Sequence, residues 1–379
     1  MKKMIPFNKP YIQGNELVYI SDAVSRGKIS GDGPFTKKCH EFFEKRYGFK
    51  KVLLTTSCTD ALEMAAILLD IQPEDEVIAP SYTFVSTVNA FALRGAKILF
   101  ADSYSHHPNI DPEKIEKLIT EKTKAIVVVH YAGVACDMDA IMAIANKHHI
   151  PVVEDAAQAI DSYYKGKPLG SIGTFGTFSF HETKNIIAGE GGLLAINDDK
   201  YIHRAEIIRE KGTNRSSFFR GEVAKYGWVD IGSSFLPSDI ISAYLYAQLE
   251  NIEPIQARRK EIWQRYNDKL SVVLTNTGIE LPVVADYATN NAHMFYLVCS
   301  SLEQRTALIQ HLKDNEVHAV FHYLSLHTSE FYQDKYIGYP LPNSDYFTDT
   351  LVRLPLFYEL TDEQVDHVCM QIKSFVELK

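Results

Sequence analysis

A chain of 379 residues, 46% hydrophobic and 23% charged, has the composition of an ordinary globular protein and the length of two or three domains. Its formal net charge of −9 excludes general attraction to nucleic acid or anionic lipid, so a phosphate-bearing ligand must be met by a local site. No apolar run is long enough for membrane insertion, and the opening MKKMIPFNKP lacks the apolar core of a signal peptide.

The first 200 residues alternate short β-branched runs with helical patterns. KVLLT (51–55) reads as a buried strand, and Leu62, Ala65, Ala66 and Leu69 after it mark a helix face. EVIAP (76–80), KILFA (97–101), KAIVVVH (124–130) and PVVED (151–155) read as further strands. Between the last two, Ile141, Ile144, Ala145 and His148 recur at helical spacing. TFGTFSF (174–180) and GLLAIN (192–197) complete the strand set. Such alternation predicts βαβ units and a mainly parallel sheet. Residues 214–235, rich in Ser, Gly, Phe and Arg, read as a long loop of the kind that often serves function. One or two long helices are expected over 238–270, then a strand at 293–299 and helices at 302–315 and 361–378. The expected organisation is an α/β large domain, 1–250, and a smaller α+β domain, 251–379.

Five cysteines (Cys39, Cys58, Cys136, Cys299 and Cys369) are spaced widely and irregularly. The pattern fits a reducing cytoplasm and neither a disulfide framework nor a zinc ribbon. The 14 histidines show no HExxH or paired ligand spacing, so no metal site is expected.

Four segments stand out chemically. Lys184 follows a buried strand and precedes the Gly-rich GEGG, a setting that can desolvate an amine and lower its pKa. Asp155 ends a strand, where parallel sheets bind ligands, and Gln158 lies one turn beyond it. SCTDAL (57–62) turns from strand into helix, so the amides of Thr59 and Asp60 can meet an anion, with Ser179 adding a hydroxyl. PSYTFVST (80–87) supplies the aromatics Tyr82 and Phe84. Each alone has a bland reading: a solvated lysine, an N-capping Asp, a capped helix, a core ring. Together they are what pyridoxal 5′-phosphate (PLP) requires: an amine for its aldehyde, an acid for its ring nitrogen, donors for its phosphate and a flat partner for its ring.

Their order along the chain resembles the DegT-type sugar-nucleotide aminotransferases, a branch of the aspartate-aminotransferase-like PLP enzymes. The likeness runs nearly end to end, through IPFNKP (5–10), GKISGDGPF (27–35), SCTDAL, PSYTFVST, VHYAG (129–133), VVEDAAQA (152–159), GTFSFHETKN (176–185), GEGG (189–192), FHYLSLH (321–327) and RLPLFYELTDEQV (353–365). It implies a fold type I PLP-transferase. It places the cofactor-linking lysine at Lys184, the ring-nitrogen partner at Asp155 and the phenolic-oxygen contact at Gln158. Phosphate contacts fall on Thr59, Asp60 and Ser179, and the stacking ring on Phe84 rather than Tyr82. Where many members present a cross-subunit Asn, this chain has Ser234. A homodimer with shared active sites is implied.

KGTNRSSFFRG (211–221) and WVDIGSSFLPSD (228–239) resemble the branch that makes dTDP-4-amino-4,6-dideoxygalactose for enterobacterial common antigen. That likeness implies dTDP-4-keto-6-deoxy-D-glucose as substrate and L-glutamate as amine donor. Amination at C3 or of another keto sugar nucleotide is the nearer alternative. Lys211, Arg215 and Arg220 are candidates for the substrate's pyrophosphate, and His322 and Tyr323 for further substrate contact. Dehydratases of the same fold carry His at the lysine position, which Lys184 argues against. A non-catalytic binding protein is disfavoured by the joint presence of Lys184, Asp155 and Gln158.

Overall fold

The computed structural model describes residues 4–377. Its central sheet has strands β1 (Lys51–Thr55), β2 (Glu76–Pro80), β3 (Lys97–Ala101), β4 (Thr123–Val129) and β5 (Val152–Asp155). After a small hairpin, β6 (Tyr163–Tyr164) and β7 (Lys167–Pro168), β8 (Phe175–Ser179) and β9 (Gly192–Ile196) complete it. The order is β1-β9-β8-β5-β4-β2-β3, with every neighbour pair parallel except the two made by β9. Six strands therefore run one way and end on one edge.

Both faces of this sheet are covered, which is why its strands read as unbroken apolar runs. Val52, Leu54, Ile78, Ile126, Val128 and Val152 face one core, closed by helices 34–47, 138–148 and 239–249. Leu53, Val77, Ala79, Ala125, Val127 and Val153 face the other, closed by helices 58–68, 86–92 and 202–209. On helix 138–148 the buried positions are Met138, Ile141 and Ala145. His148, expected on that face, is exposed and meets Glu116, because the helix ends there at a left-handed His149.

A second sheet, β10 (Phe295–Val298), β11 (Val320–Phe321) and β12 (Leu351–Leu354), is antiparallel in the order β10-β12-β11. One face carries Phe295, Leu297, Val352 and Leu354, packed under helices 252–273, 302–314 and 362–377. The other carries Tyr296, Val298 and Leu351, packed with Tyr82 and Tyr131 from the end of the large sheet. Helix 252–273 runs from one core to the other. Ile252 and Ile255 belong to the large core, and Ile262, Tyr266 and Leu270 to the small one. Ile5 also joins the small core, through a bridge to Val317. The two helices over 239–273, the strand near 295 and the helix at 302–314 fall where the sequence pattern puts them. The last helix ends at Glu377, and Leu378 of the expected segment lies outside the described residues. Among the described residues no helix is long and apolar enough to cross a membrane.

Gly192 opens β9 against the turn that joins β1 to helix 58–68. A Cβ there would overlap the Ser57 carbonyl, which is backbone and cannot step aside. Gly192→Ala should cost about 1–3 kcal/mol through overpacking. Urea unfolding should show a lowered midpoint.

Candidate active site

Turns after the parallel strands converge with the small sheet on a cavity of about 700 Å3. Its wall includes Ser57, Cys58 and Thr59 after β1, Thr83, Phe84 and Ser86 after β2, Val129 of β4, Asp155 and Gln158 at β5, and Ser179 and Lys184 at β8. Ligands of open α/β sheets bind at this carboxyl edge. His293, Met294, His322, Tyr323 and Arg353 close the opposite side.

Lys184 sits on a bracket between β8 and β9. Phe180 N–H donates to Gly191 O (2.8 Å), Ala188 N–H to Phe180 O (2.7 Å) and Lys184 N–H to His181 O (2.9 Å). Asn185 anchors the bracket inward. Its Nδ2 donates to Gln256 Oε1 and to Asn291 O, both at 2.8 Å, and its Oδ1 meets His293 Nδ1 at 2.9 Å. The main chain is thereby held while the lysine side chain points into the cavity. Burial lowers the Lys184 amine below its ordinary value, and Arg353 lowers it further. Cys58 and Asp155 oppose the shift.

Asp155 is 5% exposed. Thr87 Oγ1 donates to its Oδ2 at 2.7 Å and Ala157 N–H to its Oδ1 at 3.1 Å. Burial raises its pKa, while these two bonds and Lys184 pull it down. Among the described residues no cation is hydrogen-bonded to the carboxylate. Gln158 is fixed by Ala132 N–H donating to Oε1 (2.6 Å) and by its own Nε2 donating to Tyr323 OH (3.0 Å). An amide NH2 has two donors, so one N–H of Gln158 remains for a ligand.

Ser57 caps helix 58–68, its Oγ accepting from Asp60 N–H at 3.1 Å. The first amides of the helix have no carbonyl within it to bond, so Cys58 and Thr59 present N–H groups on the cavity side. Asp60 is used otherwise: its amide is taken by Ser57 and its carboxylate by the Thr56 hydroxyl. Thr59 Oγ1 donates to Ser86 Oγ (2.8 Å), bringing a hydroxyl pair to the same turn. Phe84, 55% exposed, lies over the cavity, whereas Tyr82 is 1% exposed and belongs to the core.

The substrate candidates divide. His322 and Tyr323 line the cavity, their rings stacked with centroids 3.5 Å apart, and Tyr323 takes a left-handed φ of 48°. His322 Nδ1 meets Tyr131 OH at 2.7 Å, and burial drives its pKa well below the ordinary value. Lys211, Arg215, Arg220 and Ser234 do not line this chain's own cavity. Arg215 pairs with Glu210 at 2.6 Å, and Arg220 with Glu206 and Glu222 at 2.9 and 2.7 Å. Lys211 and Ser234 are exposed. The segment is more ordered than a plain loop, with a helical turn at 215–219 and bridges Glu210–Ser234 and Thr213–Trp228.

Sequence reasoning missed Thr87, His293 and Arg353. Thr87 shares PSYTFVST with Phe84, and helical spacing from Thr83 aims it inward, which was a usable signal. His293 and Arg353 come from a distant sheet, and no local pattern marks them.

The donor set fits PLP. A buried carboxylate without a cationic partner suits a protonated ring nitrogen, a desolvated amine suits an aldehyde, and a helix start with hydroxyls suits a phosphate. Fold and site together define a PLP-dependent transferase of the aspartate-aminotransferase-like class. Residues 10–373 match the DegT/DnrJ/EryC1/StrS aminotransferase family, and the chain belongs to it. An uncharacterized protein of Methanocaldococcus jannaschii, MJ1066, is 32% identical over 99% of this chain and 98% of its own. The PLP-form of Spr1654 from Streptococcus pneumoniae superposes with a TM-score of 0.90 at 28% identity, covering 99% of both chains. The sugar aminotransferase CalS13 from Micromonospora echinospora gives 0.89 at 26% identity, covering 98% of this chain and all of that one.

The raised Asp155 pKa has a stability consequence. The folded protein holds that proton more tightly than the unfolded chain does. Its charged form therefore costs stability that is absent below the ordinary carboxylate value, about 4, and grows as pH rises through the folded pKa. Without cofactor, Asp155→Asn should unfold at a higher temperature than wild type at pH 8, with the gap closing as pH falls. Saturating PLP should raise the wild-type midpoint more than the variant's, because a neutral amide cannot hold a protonated ring nitrogen. Calorimetry with and without PLP checks both signs.

Proposed function

We propose that this aminotransferase moves the amino group of L-glutamate to a nucleotide-linked 4-keto-6-deoxy sugar. The specific reading is dTDP-4-keto-6-deoxy-D-glucose as acceptor and dTDP-4-amino-4,6-dideoxy-D-galactose as product. The observation that carries the transamination reading is Lys184, a desolvated amine sharing one cavity with the unpaired carboxylate of Asp155. The sugar reading is supported by the sugar aminotransferase among the structural relatives. The particular sugar is supported by the resemblance carried by 211–221 and 228–239.

PLP, when bound, supplies a ring that withdraws electrons from the substrate carbon. Asp155 would hold its ring nitrogen, Gln158 its phenolic oxygen and Phe84 its face. The amide and hydroxyl of Thr59, with Ser179, would hold its phosphate. Lys184 Nζ is the base that takes the proton from the donor's α-carbon and the acid that returns it in the transfer. Its lowered pKa leaves more of the amine free near neutral pH. Tethering next to the reacting carbon makes that proton transfer intramolecular, a large part of the acceleration.

The proposed assembly is a cytoplasmic homodimer in which 211–235 reaches the partner's site. Its support is the position of this segment outside its own cavity, with Trp228 83% and Phe219 69% exposed. Lys211, Arg215 and Arg220 would meet the pyrophosphate there, and Ser234 the cofactor phosphate.

Incubation with PLP, L-glutamate and a panel of keto sugar nucleotides, followed by NMR of the products, tests the substrate. Lys184→Ala should lose nearly all turnover. Borohydride reduction of the PLP-loaded wild type and peptide mapping should put the label on Lys184, and a label on another lysine overturns the assignment. Neutralising Lys211, Arg215 and Arg220 together should raise KM for the sugar nucleotide and leave KM for glutamate unchanged. Equal effects on both substrates would remove these residues from the pyrophosphate role.

A further inference from the structure

Behind the lysine bracket lies a second cavity, of about 10 Å3, room for one water-sized particle. Its wall includes Lys184, Asn185 and Ile187 of the bracket, Asn8 of the N-terminal segment, and Arg259 of helix 252–273. Lys184 therefore stands in the walls of both cavities.

Arg259 is 4% exposed. Its Nε donates to Ala292 O at 3.1 Å and its Nη2 to His293 O at 2.8 Å. A guanidinium has five N–H groups, so most of its donors reach no acceptor among the described residues. It forms no ion pair among those residues either. Burial is the one influence on its pKa, with no acid opposing it, and pushes it down to about 9. Arg209, just as buried, shows the usual arrangement, with Asp32 at 2.9 Å. At neutral pH Arg259 keeps its charge, and burying a charge without a counter-ion is unfavourable.

The other charged groups of the wall do not supply that counter-ion. Lys9 pairs with Glu359 at 2.7 Å. Glu182 is exposed and meets no cation among the described residues, and its carbonyl is taken by Asn8 Nδ2 at 3.2 Å. Further donors stand close by. The main-chain N–H groups of Asn185 and Ile187 donate to no protein acceptor among the described residues. Gln256, one turn before Arg259, holds Asn185 through Oε1 and has a buried Nε2 without a partner.

We infer that this cavity binds one small monovalent anion, chloride by size and charge, against the Arg259 guanidinium. The volume admits a single particle, which rules out phosphate, sulfate and carboxylates. Water would fill the same space and leave the guanidinium uncompensated. The ion joins three parts of the chain that meet only here: the bracket carrying Lys184, the N-terminal segment at Asn8, and the helix that runs from the large core to the small one. It is a structural site, independent of which substrate the enzyme takes.

The test uses PLP-loaded enzyme with chloride, bromide and gluconate as sodium salts at constant ionic strength. Gluconate is too large for the cavity and controls for general salt effects. Chloride replacing gluconate should raise the thermal midpoint by about 1–3 °C and then level off, as for a single saturable site, and bromide should do the same. Crystals grown in bromide should show an anomalous scattering peak within hydrogen-bond distance of the Arg259 guanidinium. Arg259→Gln should abolish the dependence on chloride, and Arg259→Lys, which keeps the charge, should retain part of it. The wild-type titration and diffraction need no variant, so they decide the matter even if Arg259→Gln fails to fold. Equal midpoints in chloride and gluconate overturn the inference. So does a rise that never levels off, or a cavity that holds ordered water and no bromide.

Discussion

Asp155 and Lys184, an acid and an amine, share one cavity and form no ion pair among the described residues. Thr87 and Ala157 occupy the carboxylate oxygens, and the 180–191 bracket fixes the lysine backbone. Burial outweighs their mutual attraction, raising the acid and lowering the amine. A closed ion pair would have stabilised the apo-protein and left nothing for a cofactor. Holding both groups short of pairing stores a demand for a ligand with a cationic ring nitrogen and an electrophilic carbon.

Much of the surrounding structure serves that separation. Six parallel strands end on one edge, so acid, amine and anion-binding turn reach one cavity from separate parts of the chain. The small sheet presses Tyr296, Val298 and Leu351 onto Tyr82 and Tyr131 at that edge. This contact carries His293, His322, Tyr323 and Arg353 to the wall opposite the cofactor residues. Gln158 bridges the two sides, holding Ala132 in the turn after β4 and Tyr323 after β11. Tyr323 keeps a left-handed backbone, a conformation a non-glycine residue holds only when its surroundings impose it.

The large sheet was legible because each of its strands is buried on both faces and so reads as a continuous apolar run. Asp155 and Ser179 close strands and Gln158 and Lys184 follow shortly after, so all four could be singled out from the sequence, and all four line the cavity. Other elements were not. Helices 15–25, 34–47 and 342–350 and strand β12 went unread. Helix 34–47 starts under a distant cap, Asp239, whose carboxylate accepts from the Thr36 amide at 2.8 Å. Strand β12 is four residues long, with one apolar face and Arg353 on the other. Asp60 could be placed in the right turn but not assigned a direction, since only the folded turn shows its amide spent on Ser57.

What the sequence determined by itself was the βαβ order of the large unit, the chemistry at its strand ends and the family those blocks resemble, all local properties of hydrophobic period and turn composition. What only the tertiary structure decided was which distant side chains face those groups. Arg353 is 169 positions from Lys184 in sequence, and its place in the cavity wall depends on a strand register and a sheet contact that no local pattern encodes. The loop cations show the same limit. Their gathering in one loop of an acidic protein suggested a pyrophosphate site, and the fold reveals glutamates already paired with two of them and a position outside their own chain's cavity. A charge in sequence has no partner until packing chooses one, so the identity of a site can be read from short segments while its occupancy cannot.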